Sequence, residues 1–343
     1  MITQKEIEEI RELLKKSKSP LFLYDDDPDG LSSYLLLRKY LGRGKGIVVK
    51  SSPALDLTYL KKVKELNPDR IFILDKPIVT QEFVDEAQIP IVWIDHHEPL
   101  KLEGIKYFNP RLKDDHDSRC TSYWCNEVAK ENDWISAAGI FGDWFLPDNF
   151  EELIRKYPDL LFKTKNPGDI LFNSEFGKLV KVFSFALKGS TTQIRDSISV
   201  LLKIETPYEI LNQLTPSGRF LYKRFERVNK EYINLLEQAR KKYDSKKKTL
   251  VFLYPSNKTS HTGLLSNELT HAYPDTLLII GREKKGEVRM SIRYTKKKLP
   301  PLINKALEGL TGYGGGHDYA CGGNVKSEDF EIFIERLEKL IQK

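Results

Sequence analysis

The sequence predicts an α/β protein, with a doubly wound, mostly parallel sheet joined by a long helix to a smaller α/β C-terminal domain. Three observations predict it. Four short apolar runs alternate with helical patterns over the first hundred residues, as buried parallel strands and their crossover helices do. One long amphipathic stretch then spans residues 215–244, and a second, shorter set of strands and helices follows it. A length of 343 residues also suits two domains of ordinary size.

Each element has its own justification. Residues 1–16 mix charged and apolar side chains as an amphipathic helix does, without the continuous apolar stretch of a signal peptide. Leu21–Tyr24, Ile47–Val49, Ile71–Leu74 and Ile91–Ile94 read as buried strands, and Pro90 suits the start of the last. Leu31–Leu41, Leu55–Leu66 and Gln81–Gln88 read as helices between them. Trp134–Gly142 reads as a buried helix, and residues 149–205 as mostly helical. In the long stretch, Leu221, Phe225, Val228, Tyr232, Leu235 and Ala239 step by four and three alternately, which is one helix face. Its other faces are basic, with Lys223, Arg224, Arg227, Lys230, Arg240, Lys241 and Lys242. Beyond it, strands are expected at 249–254, 277–280 and 288–293, and helices at 261–271, 299–310 and 327–342. The expected domains are therefore a catalytic domain over 1–214, a connecting basic helix over 215–245 and a substrate-binding domain over 246–343.

Composition excludes several classes. An apolar fraction of 40% and a charged fraction of 30% allow a folded core and exclude wholesale disorder. No apolar run reaches the roughly 18 residues of a membrane helix. Cys120, Cys125 and Cys321 cannot make a disulfide framework, so a soluble cytoplasmic protein with reduced thiols is expected. Residues 206–343 carry 25 Lys and Arg against 16 Asp and Glu, whereas the rest carries 30 against 33. That asymmetry suits an anionic partner gripped mainly by the C-terminal part.

The chemistry gathers at strand ends, where open α/β sheets bind ligands. Leu21–Tyr24 runs into Asp25, Asp26, Asp27, Pro28, Asp29 and Gly30; Ile71–Leu74 ends in Asp75; Ile91–Ile94 ends in Asp95, His96 and His97. Carboxylates converging on one sheet edge repel one another unless a cation neutralises them. Asp oxygens with imidazole nitrogens, and no thiolate nearby in sequence, suit Mn²⁺ or Mg²⁺. The apolar segment Ala137–Gly142 delivers one further acid, Asp143. In the C-terminal part, six glycines fall within residues 312–323, around His317. We read them as a loop open to close phosphate approach.

The ordered motifs resemble the DHH phosphoesterase superfamily, in its RecJ-like single-strand exonuclease branch with the DHH-associated C-terminal domain. The first motif runs Asp25 to Gly30, the second centres on Asp75, the third is Asp95-His96-His97 and the fourth centres on Asp143. Ser291-Ile292-Arg293 and Gly314-Gly315-Gly316-His317 complete the set, which spans residues 25 to 323. The resemblance implies two divalent metal ions, with Mn²⁺ preferred and Mg²⁺ as the alternative. Asp25, Asp27 and Asp75 would hold one, and Asp29, Asp75, His96 and Asp143 the other, with Asp75 bridging. It implies that Asp95 and His97 orient ligands or stabilise the reacting phosphate, and that Arg293 and His317 bind the substrate phosphate across an interdomain cleft, beside Ser291, Gly314, Gly315 and Gly316.

Other residues have plainer readings. Asp114, Asp115, His116 and Asp117 read as a solvated loop, and Cys120 and Cys125 as core packing beside Trp124. Tyr294, Tyr313 and Tyr319 read either as base-stacking surface or as packing. The expected function is a metal-dependent exonuclease on single-stranded DNA or RNA, with replication or repair proteins as further partners and no membrane contact. The alternatives are a phosphodiesterase for very short oligonucleotides (a nano-RNase) or for cyclic dinucleotides and, from another class, a replisome or repair scaffold.

Overall fold

The computed structural model describes residues 1–50, 54–255 and 259–342. Contacts divide the chain into two units, Met1–Phe225 and Glu226–Lys343.

The first unit opens with helix α1 (Gln4–Lys16), capped by Thr3 and Glu6 in a reciprocal capping box. It continues with β1 (Pro20–Asp25), α2 (Pro28–Leu41), β2 (Lys45–Val49), β3 (Ala54–Leu55), α3 (Leu60–Leu66), β4 (Arg70–Leu74), β5 (Ile78–Val79), α4 (Gln81–Ala87), β6 (Ile91–Ile94) and β7 (Ile105–Phe108). Five strands form one sheet in the order β2-β1-β4-β6-β7, and each pairing in it is parallel. One sheet face, with Leu21, Leu23, Ile71, Ile73, Ile91 and Trp93, joins Val63 of α3 and Phe83 of α4 in a core. The other carries Phe22 and Phe72, stacked at 5.4 Å, and α2 packs on that side of β1 and β4. The sheet is doubly wound, as the strand–helix alternation predicts.

The chain order reverses between β1 and β4, because β2 lies to one side of β1 and the later strands to the other. That is the position at which the crevice outside the strands' carboxyl ends takes ligands in such sheets. The edge strand β7 was not expected; its run Ile105–Phe108 includes Lys106 and Tyr107 and lacks a continuous apolar pattern. The expected helix over residues 55–66 is instead the short strand β3, a 3-10 turn (Leu57–Tyr59) and α3, since Asp56 caps a new start with its carboxylate on the Thr58 amide.

Helices complete the unit: α5 (Thr121–Ala129), α6 (Asp133–Gly142), α7 (Phe150–Lys156), α8 (Pro167–Asn173), α9 (Glu175–Ala186), α10 (Thr191–Leu201) and α11 (Pro207–Leu211). Helices α2, α5 and α6 pack tightly together. Cys120 and Cys125 are buried there, as their packing reading predicts. Asp117 is not solvated as expected; it is buried beneath Arg119, which donates to both of its carboxylate oxygens at 2.8 and 2.6 Å.

Helix α12 (Pro216–Arg240) runs through the division between the units. Its predicted apolar stripe is buried at Leu221, Phe225, Tyr232, Leu235 and Ala239, while Lys223, Arg227 and Lys230 are exposed. It stops short of the expected end, since Tyr243–Asp244 form the strand β8. The second unit then has β9 (Thr249–Pro255), α13 (Thr262–Ala272), β10 (Leu277–Lys284), β11 (Glu287–Arg293), α14 (Leu299–Leu307), β12 (Gly312–His317), β13 (Ala320–Lys326) and α15 (Phe330–Gln342). Its sheet runs β12-β13-β11-β10-β9-β8. Met290, Ile292, Ile303, Val325, Phe333 and Leu337 share its core, under α14 and α15. The glycine run read as a loop is a β-hairpin, with Gly314 opposite Gly323 and Gly316 opposite Cys321. Strands without side chains leave no hydrophobic pattern to read. Among the described residues no helix is long and apolar enough to cross a membrane.

Candidate active site

Three sheet strands bring acids to one place, and local sequence fixes how each enters it. After Asp25 ends β1, Asp27 caps α2, its Oδ1 accepting from the Gly30 amide at 2.9 Å, with Pro28 at the first helical position. A Cβ on Gly30 would stand 2.7 Å from the Asp25 backbone nitrogen and oxygen, so glycine lets the helix start against the strand end. Asp29, buried in the first turn, accepts the Thr121 amide at 2.8 Å on Oδ2 and the Ser122 amide at 2.9 Å on Oδ1. It therefore ties α2 to the N-terminus of α5. Asp75 follows β4 with φ of 58°, a left-handed conformation that Asp tolerates better than most residues.

At the centre, His96 Nε2 lies 3.4 Å from Asp75 Oδ1 and 3.6 Å from Asp143 Oδ2. The Thr121 hydroxyl donates to the same Asp75 oxygen at 3.2 Å. Two ligands each about 2.1 Å from a small dication stand about 3 Å apart at right angles, so these spacings fit an ion between the groups better than direct hydrogen bonds. One donor atom from each of Asp75, His96 and His97 lies within 4.8 Å of the others.

The electrostatics ask for a cation. Burial, then the charges of Asp29, Asp27, Asp25 and Asp143, hold the Asp75 carboxyl well above the ordinary carboxylate range. Burial and the charges of Asp25 and Asp29 push Asp27 up to about 7. Asp143 is raised mainly by burial and by Asp29. Burial lowers His96, which keeps its ring neutral and able to ligate, against the pull of Asp29. Carboxylates that cannot all ionise in one site are a physical signature of a missing positive charge.

Asp95 serves a different purpose. It is fully buried, and its Oδ2 accepts the His97 amide at 3.0 Å, the Tyr107 hydroxyl at 3.2 Å and Asn109 Nδ2 at 3.3 Å. Its Oδ1 lies 2.8 Å from His97 Nδ1. Burial works against a charged His97, but the Asp95 hydrogen bond and charge, with those of Asp143 and Asp27, raise it to about 9. Asp95 thus fixes the ring with Nε2 left for other partners. In metal-free Asp95→Asn protein the His97 imidazolium should titrate at least one pH unit lower. Histidine ring resonances followed by NMR against pH check this, and an unchanged titration would mean that Asp95 does not hold the proton.

The second unit carries its own candidates. Arg293 ends β11 with Nε donating to Asn267 Oδ1 at 3.2 Å and a terminal nitrogen donating to the Ile292 and Cys321 carbonyls at 3.1 and 3.3 Å. Burial lowers this guanidinium to about 10, which marks a cation short of anionic partners. Ser291 is buried beside it, paired in register with Gly322. In the hairpin, Gly316 has φ of 142°, a conformation essentially reserved for glycine. A Cβ added at Gly315 would meet nothing within 4 Å. Tyr313 and Tyr319 are exposed there, at 68% and 50%. The side chain of His317 lies outside the described residues.

The structure thus gathers Asp27, Asp29, Asp75, His96, His97 and Asp143 in one cluster, with Asp29 also accepting two amides of α5 and Asp95 holding His97. Asp25 faces an ammonium: Lys76 Nζ is 2.6 Å from Asp25 Oδ1. Sequence reasoning missed Lys76, Tyr107, Asn109 and Thr121. Lys76 had a signal, since a lysine directly after a strand-end acid sits at the ligand edge. Asn109 and Thr121 had none, because their roles come from the turn after β7 and the first residue of α5, which the fold brings against Asp95 and Asp75.

Residues 22–146 match the model of the DHH family, N-terminal domain, and residues 247–343 that of the DHHA1 domain. No curated protein sequence matches the chain. Among solved structures, RecJ in complex with Mn²⁺ from Thermus thermophilus is similar at 16% identity and a TM-score of 0.71, over 100% of this chain and 55% of that one. This chain therefore spans about half the length of that RecJ. An exonuclease RecJ bound to manganese is similar at 16% identity and a TM-score of 0.62, over 100% of this chain and 95% of that one. A pGpG-specific phosphodiesterase from Vibrio cholerae is similar at 16% identity and a TM-score of 0.54, over 95% and 99%. At these identities the likeness to the solved structures is one of fold. With both family domains present, the chain belongs to the DHH phosphoesterase superfamily and has a RecJ-like fold.

Proposed function

We propose that this protein is an exonuclease of single-stranded nucleic acid, with Asp27, Asp75, His96 and Asp143 holding a divalent cation for which Mn²⁺ is suited. The observation that carries the reading is the convergence of His96 with Asp75 and Asp143 at the switch point of the sheet. An imidazole among carboxylates favours Mn²⁺ over the all-oxygen shell that Mg²⁺ prefers. When bound, the ion lowers the pKa of the attacking water and offsets the negative charge of the phosphodiester. His97, kept protonated through Asp95, offers an N–H donor to a phosphate oxygen as charge develops. Arg293, with Ser291 and the Gly314–Gly316 backbone, is the phosphate contact of the second unit, and His317 joins it as the resemblance implies. The exposed Lys223, Arg227 and Lys230 suit the backbone of a strand, and Tyr313 and Tyr319 its bases.

A short-oligonucleotide phosphodiesterase is the second reading, favoured by the fold shared with the pGpG-specific enzyme over nearly its whole length. Digestion of end-labelled single-stranded DNA and RNA of several lengths with Mn²⁺ separates the two. Stepwise shortening of long strands is expected, and cleavage confined to the shortest substrates would select the second reading.

Two variants divide phosphate binding from strand binding. Arg293→Ala should lower kcat/KM by roughly 30- to 1,000-fold on every substrate with Mn²⁺ occupancy unchanged, since a charge-assisted contact to a developing phosphorane contributes roughly 2–4 kcal/mol. Arg227→Glu with Lys230→Glu should weaken binding of long strands and flatten their salt dependence, while sparing dinucleotides. Steady-state kinetics on both substrates across a salt series give the comparison. Equal losses on both substrates in the helix variant would exclude this surface from strand binding.

A further inference from the structure

The buried cation beside Asp25 changes what this site can hold. The Lys76 side chain is 2% exposed and Asp25 is its ion-pair partner at 2.6 Å. Its position is built rather than incidental. Asp75, the residue before it, has φ of 58°, and a left-handed residue breaks the alternation by which neighbours along a strand point to opposite faces. Asp75 therefore reaches His96 and Thr121 while Lys76, next in sequence, reaches Asp25 in the same acidic cluster. The Trp93 indole donates to the Lys76 carbonyl at 3.1 Å and fixes the backbone from the neighbouring strand.

A buried ammonium is stable only when paired, and here the pair uses the carboxylate that a two-ion arrangement would assign to an ion. Two bridged ions stand roughly 3.5–4 Å apart and need that carboxylate for themselves. An ammonium already bound to Asp25 would face such an ion as a like charge at short range. The donor set therefore fits an ion at Asp75, His96 and Asp143, and does not fit a second at Asp25.

We propose that this protein binds one divalent ion per chain, and that the Lys76 ammonium stands permanently where a second ion would otherwise bridge from Asp25 towards Asp75. The proposal rests on the metal site read above. It makes the charge of the cluster partly internal: one cation comes from the chain, and only the other must be supplied from solution.

The test counts ions on the full-length protein. Purified, metal-stripped protein is equilibrated with excess Mn²⁺ and desalted; bound manganese is measured by elemental analysis and its spin coupling by electron paramagnetic resonance. One Mn²⁺ per chain with an uncoupled spectrum is expected. Two ions with an exchange-coupled spectrum in the unaltered protein would overturn the proposal. No bound ion at all would overturn the metal site itself, and the proposal with it. In folded Lys76→Met protein, which keeps the volume and removes the charge, uptake should rise from one ion to two. A folded Lys76→Met protein that stays at one ion would show that Lys76 does not occupy the second position. Should that variant fail to fold, Asp25→Asn serves in its place, with one ion retained if Asp25 is bound to Lys76 and that ion lost if Asp25 is its ligand.

Discussion

Asp75→Ala protein should lose at least 10³-fold in kcat/KM and gain thermal stability when metal-free at pH 8. The loss follows from position. Asp75 shares an oxygen's surroundings with His96 and the Thr121 hydroxyl at the centre of the cluster, and no neighbouring acid reaches that point from β4. Removing a central ligand sacrifices several kcal/mol of charge stabilisation that only the transition state realises, which is three or more powers of ten in rate. The gain follows from the same burial. Asp75 is held well above its ordinary range by burial and by four other carboxylates, so its ionised form costs the metal-free fold stability at pH 8. A variant without it loses one hydrogen bond from Thr121, worth about 1 kcal/mol, and holds alanine at a positive φ for roughly 1–2 kcal/mol more, but sheds the larger repulsion of four buried carboxylates. Opposite signs in rate and in Tm mark a residue kept for function against stability. Circular dichroism melting of metal-stripped protein and kinetics with saturating Mn²⁺ measure the two. Normal turnover by a folded Asp75→Ala protein would remove Asp75 from the site.

Much of this was legible because strand ends are legible. Ile71–Leu74 and Ile91–Ile94 are continuous apolar runs, and such a run can only be a buried strand or a buried helix segment. Their length and β-branched content favour strands, so the acids that stop them had to lie at a carboxyl edge. Convergence of Asp75 with His96 then followed from topology, whereas Asp143, at the end of helix α6, rested on the motif order. The second unit was harder. β12 is four glycines in six residues and β13 has two near its middle, and where side chains are missing a strand has neither of the patterns that a reader of sequence uses. What Asp29 does was also hidden. Its spacing marks it as a strand-end acid like its neighbours, whereas its two hydrogen bonds to the Thr121 and Ser122 amides come from a helix ninety residues away. For Lys76 the sequence signals its place at the ligand edge but not its burial: lysine is ordinarily a surface residue, and its burial depends on the left-handed turn at Asp75.

The stability of the metal-free protein should fall as pH rises from 5 to 8.5, and Mn²⁺ should cancel most of that fall. The direction is set by four acids. Asp25, Asp27, Asp75 and Asp143 all have folded-state values above the ordinary 3.8. A group raised on folding binds more protons in the native than in the unfolded chain. Its contribution is therefore complete below the unfolded value and is lost as pH climbs through the folded one. For Asp27 that window runs from 3.8 to about 7. Between pH 5 and 7, at about 1.4 kcal/mol per unit, Asp27 alone accounts for roughly 3 kcal/mol, or about 8 °C in the melting of a unit this size. His97, raised to about 9, adds loss at the alkaline end. His96 opposes them, since a lowered histidine gains stability as pH rises through its own range, but it is one group against five. The acids act as a coupled set, so the total is less than the sum of separate terms. A divalent ion binds the deprotonated cluster and releases its protons, so the stabilisation it gives must grow with pH. At a hundred times its dissociation constant the ion contributes about 2.7 kcal/mol, comparable to what the acids lose. Melting curves at half-unit pH steps, with chelator and with Mn²⁺, measure both lines. They should converge near pH 5 and diverge by roughly 10 °C at pH 8.5. Parallel lines would mean that Mn²⁺ binds somewhere other than these carboxylates, and a chelated protein that grows more stable with pH would mean that the acids are not held in the repulsive arrangement their burial implies.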